Sequence, residues 1–176
     1  MIIGDKHSFA VQFDVNPEPD SWLFGHICFL VNCTEVGDYS DETSLSTAVG
    51  YLMELLWYKG LREEQKLFHL EKTELFENID KALYGDTDAS LEECQENWER
   101  FAKFHALTHG VDIFDNWKGY LIEYEQKGRL IIKNPHGEIH EYFLKVGELD
   151  SVLENVVNFF EQNYSQYFIH WSKQQA

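Results

Sequence analysis

Leu149, Val152, Leu153, Val156, Val157 and Phe160 fall at i, i+3, i+4, i+7, i+8 and i+11. Only an α-helix gathers that spacing onto one side. A stripe so wide needs an apolar surface to lie against. The chain just before it supplies strands: residues 117–125, 129–134 and 138–146, joined at Gln126-Lys127-Gly128 and at Pro135-His136-Gly137. Gly147 then separates the last strand from the helix. A three-strand meander followed by an amphipathic helix calls for an antiparallel sheet with the helix laid on one face.

The N-terminal part has the same grammar. Residues 7–15 alternate, with Phe9, Val11, Phe13 and Val15 on one face and Ser8, Gln12 and Asp14 on the other. Asn16-Pro17-Glu18-Pro19-Asp20 turns the chain, because proline cannot continue a ladder. Residues 22–32 are apolar on both faces, which suits a central strand, and a short segment at residues 35–39 follows a tight turn and pairs back antiparallel. Ser44 can cap a helix that buries Leu45, Val49, Leu52, Met53 and Leu56. Residues 61–105 are more loosely helical: Tyr84-Gly85-Asp86 stops one segment, and Ser90 with Glu93 forms a capping box that opens the next. The expected class is α+β: an antiparallel sheet built from an N-terminal hairpin and a C-terminal three-strand meander, with helices on one face. With 176 residues and no interior linker or repeat, a single domain over residues 1–176 is expected.

Charge narrows the function classes. The chain has 31 acids against 14 bases, a formal charge of -17. Residues 1–100 hold 21 acids and 7 bases, while residues 101–176 hold 10 and 7, so the excess lies in the first part. Such a surface repels nucleic acid and anionic membrane and steers basic partners inward. It also suits plain solubility. Cys28, Cys33 and Cys94 are an odd set without a C-x-x-C pair, which argues against a disulfide framework or a zinc site and for reduced thiols. Cys28 and Cys33, five apart, face opposite sides if their strand is regular. Met1-Ile2-Ile3 runs at once into Gly4-Asp5-Lys6 without a leader pattern, and no apolar run approaches a membrane span, so a cytoplasmic protein is expected.

Templates for catalysis lack essential parts. His105 and His109 stand one helical turn apart, but Ala106 occupies the place where a metalloprotease needs its glutamate. His136, Glu138 and His140 alternate and could join Asp112 or Asp115 around a metal, or simply form a polar hairpin face. Phosphate-binding glycine loops and a nucleophile elbow are missing from the sequence, and the bases do not cluster. No catalytic residue, metal site or cofactor is therefore assigned. One segment reads as a contact surface: residues 34–43 carry Glu35, Asp38, Asp41 and Glu42 around Tyr39 with no base. An acidic rim around an aromatic suits a docking basic protein, and the same composition also suits an ordinary polar loop with Asp38 or Asp41 bonding its own turn.

Ile3-Gly4-Asp5, Phe9-Ala10-Val11, Trp22-Leu23-Phe24-Gly25 and Val36-Gly37-Asp38-Tyr39 with Thr43-Ser44-Leu45 form an ordered series. Phe114-Asp115-Asn116-Trp117-Lys118-Gly119-Tyr120-Leu121-Ile122 and Asn134-Pro135-His136-Gly137-Glu138-Ile139-His140 extend it. Together they resemble the immunity protein 42 family of bacterial polymorphic toxin systems; residues 61–109 carry none of the resemblance. It implies a non-enzymatic inhibitor that binds the C-terminal domain of a cognate toxin in the cytoplasm, often in contact-dependent growth inhibition. Many such toxin domains are nucleases with basic surfaces, which an acidic inhibitor would meet through Glu35, Asp38, Tyr39, Asp41 and Glu42, with Glu63, Glu64, Glu71 and Glu74 as a second patch. No nucleic-acid or membrane partner is expected, and the oligomeric state stays open. Two rival readings are an acidic nucleic-acid mimic that inhibits a DNA-binding enzyme and a metal-dependent hydrolase using the histidines.

Overall fold

The computed structural model describes residues 1–16, 22–85, 89–107 and 110–168. In chain order the elements are β1 (Ile2–Gly4), β2 (Phe9–Val15), β3 (Phe24–Val31), β4 (Thr34–Val36), β5 (Thr43–Ser44), α1 (Leu45–Leu56), α2 (Gln65–Phe68), α3 (Lys72–Tyr84), α4 (Leu91–Phe101), β6 (Lys118–Tyr124), β7 (Lys127–Lys133), β8 (Ile139–Lys145) and α5 (Glu148–Tyr164). Short 3-10 turns occupy Ala102–Phe104, Asp112–Phe114 and Ser165–Tyr167. All strand pairs are antiparallel, and the class is α+β. The N-terminal strands and the C-terminal meander form two sheets, where one combined sheet was expected. Sequence patterning fixes which strands have a buried face but not which partner completes a ladder. Contacts divide the chain into two compact units, one within Met1–Trp57, Thr108–Asp115 and Glu148–Ala176, the other within Tyr58–Leu107 and Asn116–Gly147. No helix among the described residues is long and apolar enough to cross a membrane.

In the first unit β3 is central, flanked by β2 on one side and by β4 and β5 on the other. Alternation works as written: Phe9, Val11 and Phe13 of β2 and Ile27, Phe29 and Val31 of β3 are all buried. They lie under α1 and α5, which also pack on each other. Ser44 caps α1, its Oγ accepting the Thr47 N–H at 3.3 Å. The buried stripe of α1 runs through Leu45, Val49, Leu52 and Leu55, so Met53 and Leu56 sit at its margins. All six residues of the α5 stripe are buried. Burying each such side chain contributes roughly 1.5–3 kcal/mol. Asn32 and Cys33 (φ 49° and 62°) make the two-residue turn between β3 and β4, with the doubly positive φ that a tight hairpin requires. Cys33 therefore lies in the turn just past the strand and is exposed, so the regular strand that would set it opposite Cys28 ends before it. All three cysteines are free thiols.

In the second unit β7 is central between β6 and β8. One face of this sheet, with Tyr120, Ile122 and Ile131, packs against Leu75, Phe76 and Ile79 of α3 and against Phe104. The Ser90–Glu93 capping box is complete: Ser90 Oγ accepts the Glu93 N–H and the Glu93 carboxylate accepts the Ser90 N–H. Gly85 follows the last residue of α3 as expected; Asp86 and the turn residues 17–20 lie outside the described residues.

Candidate functional site

Antiparallel sheets with helices on one side leave the other face to water. In the first unit that open face carries Gln12 and Asp14 of β2, Phe24, His26 and Leu30 of β3, and Glu35 of β4. Register brings Asp14 directly opposite His26 and Leu30 opposite Glu35. The segment after β4 folds back over this face and is pinned there by Tyr39. Tyr39 Oη donates to the Asp14 carboxylate at 2.6 Å, its backbone N–H donates to Glu35 Oε1 at 3.3 Å, and its ring lies 5.8 Å from that of His26. His26 Nδ1 in turn donates to the Asp41 carbonyl at 3.2 Å.

Neighbouring acids make exposed local hydrogen bonds. Asp38 Oδ1 accepts from the Ser40 N–H at 3.0 Å and from the Ser40 hydroxyl at 2.7 Å. Glu42 Oε1 accepts from Asn16 Nδ2 at 2.7 Å. Glu35, Asp38, Asp41 and Glu42 are exposed and Tyr39 is half-buried. The Tyr39 hydroxyl holds the Asp14 carboxyl below its usual range. The Ser40 hydroxyl and then its N–H do the same for Asp38. Burial, then the bond to Asp14, push the Tyr39 phenol up. The result is a half-buried aromatic with carboxylates from β2, β4 and the connecting segment around it. Asp38 does make the turn bond that the bland reading offered, and it stays solvent-exposed while doing so.

The second group behaves differently. Glu64 and Glu71 are the N-caps of α2 and α3, accepting the Lys66 N–H at 3.3 Å and the Thr73 N–H at 2.7 Å. Glu63 bridges to Glu123 through its backbone, and Glu74 lies in the first turn of α3; both side chains are exposed. Two of these four carboxylates thus have local structural duties.

Local hydrogen bonds hold His105 and the β7–β8 turn. His105 is buried; its Nδ1 donates to the Ala102 carbonyl at 2.8 Å, and the Tyr84 hydroxyl meets Nε2 at 2.8 Å. Both ring nitrogens are engaged, so neither offers a lone pair to an ion; His109 lies outside the described residues. Asn134 organises the β7–β8 turn, its Oδ1 accepting from the N–H groups of His136 and Glu138 and its Nδ2 donating to Glu138 Oε2 at 2.9 Å. His140 Nε2 lies 3.5 Å from the same carboxylate. That bond from Asn134 holds Glu138 below its usual range. Among the described residues no three His, Cys, Asp or Glu side chains converge as metal ligands.

Against known proteins, the sequence matches the immunity protein 42 family over residues 1–159. The chain belongs to the immunity protein 42 family. Its fold is similar to the crystal structure of CdiI from Burkholderia dolosa AUO158, with a TM-score of 0.67 and 19% identity over 90% of this chain and 99% of that one. None of the curated proteins matches. Within this immunity-family chain, Asp14 and His26 are the site residues that sequence reasoning missed. Asp14 did stand on the polar side of the β2 alternation, but its place beside Tyr39 depends on hairpin register and on how residues 37–42 fold back.

Proposed function

We propose that this immunity-family protein binds and neutralises a cognate toxin domain of a polymorphic or contact-dependent inhibition system in the cytoplasm, without catalysing a reaction. Family membership over residues 1–159 carries the reading. The partner is a cationic protein, and a nuclease fits best, since the surface that grips nucleic acid is basic. Glu35, Asp38, Tyr39, Asp41 and Glu42 on the open sheet face form the first contact region, joined by Asp14. Glu63, Glu64, Glu71 and Glu74 form the second. Tyr39 suits an anchor because its ring is fixed before binding, so little rotamer entropy is lost on docking. Carboxylates around it speed encounter by long-range attraction, which salt screens.

The test is association kinetics with the cognate toxin domain. Reversing Asp38, Asp41 and Glu42 to lysine changes the local charge by six. Electrostatic steering is worth about 10- to 1,000-fold in on-rate at low salt. The triple variant is therefore expected to associate at least about tenfold more slowly, with a flatter salt dependence. An unchanged on-rate would remove this face from the binding surface.

A further inference from the structure

Helix α4 in the second unit buries none of its residues, although it carries an apolar stripe and a complete N-terminal cap. Leu91, Cys94, Trp98 and Phe101 follow one another at i, i+3, i+7 and i+10, which places them on one side of the helix. The C-terminal end of the stripe is anchored: Phe101 packs against the hydrophobic core, and the Trp98 ring rests 5.7 Å from that of His105. Its other end is open. Leu91 is 86% exposed and Trp98 49% exposed, and Cys94 is exposed between them. Half-exposed Tyr84 is set on the same buried histidine through the 2.8 Å bond from its hydroxyl. Two aromatic side chains are thus held in place by one imidazole, itself locked by the Ala102 carbonyl.

Charge indicates the occupant. Glu92, Gln95 and Glu99 run along the ridge beside the stripe, and Gln95 Nε2 donates to Glu99 Oε1 at 2.9 Å. Four glutamates stand on α4 against the single base Arg100. From these observations we infer that Leu91, Cys94 and Trp98 form a second docking site, for an arginine- or lysine-bearing protein surface. The stem of the basic side chain lies along Leu91 and Trp98, and its head meets Glu92 and Glu99. This rests on the toxin-binding reading above and adds to Tyr39 a second anchoring site, on α4. A fixed aromatic such as Trp98 acts mainly on dissociation, whereas carboxylates act mainly on encounter.

Binding of the cognate toxin domain to wild type and to Leu91→Glu, Trp98→Ala and Trp98→Phe variants tests the inference, with thermal unfolding measured in parallel. Leu91 is 86% exposed, so the melting of Leu91→Glu is expected to match wild type while its dissociation rises at least about tenfold, the effect of losing one anchor. Trp98→Ala is expected to weaken binding about 30-fold or more, and Trp98→Phe to retain most affinity. Wild-type binding together with undiminished affinity of Leu91→Glu and Trp98→Ala would overturn the inference. Failure of wild type itself to bind would instead sink the toxin-binding reading and this inference with it. A concentration-dependent dimer of wild type that Leu91→Glu abolishes would make a second copy the occupant, and would likewise overturn it.

Discussion

Arg129 is the buried charge whose removal the structure allows to be costed. It stands on β7, 7% exposed, facing the helices of its own unit. One terminal nitrogen, Nη1, donates to the carbonyls of Phe68 and Leu70 at 2.6 Å each, and Nε donates to the Glu141 carboxylate. The two carbonyls belong to the end of α2 and the turn into α3, so one guanidinium ties that turn to the sheet. Replacement by methionine keeps the stem and removes all three bonds. Breaking a buried ion pair by removing one partner costs about 3–5 kcal/mol. The Glu141 side chain is 27% exposed and can take up water, which reduces the figure. Relief of guanidinium desolvation reduces it further, so about 3 kcal/mol is expected.

Urea unfolding followed by far-ultraviolet circular dichroism reads this directly. With a slope near 2 kcal/mol per molar urea, the midpoint should fall by roughly 1.5 M. If the two units unfold separately, the shift should fall on the transition of the unit holding Arg129. Arg129→Lys should recover less than half of the loss, because an ammonium cannot reproduce the planar fork. A loss below about 0.5 kcal/mol for Arg129→Met, the range of an ordinary surface substitution, would refute the argument. So would full rescue by lysine.

Two further outcomes follow from local geometry. Gly37 sits at φ 101°, and a Cβ there would lie 2.8 Å from Phe114 Cε1. Gly37→Ala is therefore expected to cost about 2 kcal/mol, a fall of about 4–8 °C in Tm, and a shift under 1 °C would contradict it. Burial pushes Tyr84 up to about 12 and raises Tyr120 as well. Because the folded value lies above the unfolded one of about 10, the associated stability is whole below that pH and is lost as pH rises through about 12. A 295 nm titration should show Tyr84 and Tyr120 ionising late or only on unfolding; uniform ionisation of all tyrosines near 10 in the folded protein would refute this.

Local signals in the sequence carried far. The Ser44 cap, the Ser90–Glu93 box and the α5 stripe each depend on neighbours within a few residues, and each appears where the pattern puts it. Strand β1 was missed because three residues cannot display an alternation, and β5 because it is two residues long. Partition into two sheets depends on which strands meet across long loops, information that periodicity does not hold. The same limit hid Asp14 and His26 beside Tyr39. It also hid Arg129, whose two carbonyl partners lie 61 and 59 residues away in sequence. Composition alone also leaves Glu64 and Glu71 in a contact patch, because glutamate is an unusual N-cap; their bonds to the Lys66 and Thr73 N–H groups show that role only in the folded chain.

Net charge alone therefore overstates what is available to a partner. Glu64, Glu71 and Glu93 satisfy helix N-termini, and Glu123 is buried with its carboxylate on the Gly147 N–H. The acids that remain accessible on the open sheet face hold no core in place, since the packed face of the same strands is built from the alternate residues Phe9, Val11, Phe13, Ile27 and Phe29. Leu91 stands in the same relation to the core of the second unit. Substitution at either surface should then change binding while leaving the melting temperature near wild type. That separation lets kinetics assign a loss of affinity to contact instead of to unfolding. If Asp38, Asp41 and Glu42 reversal or Leu91→Glu lowered stability by more than about 1 kcal/mol, those residues would have to be structural, and the assignment of both surfaces to a partner would lose its basis.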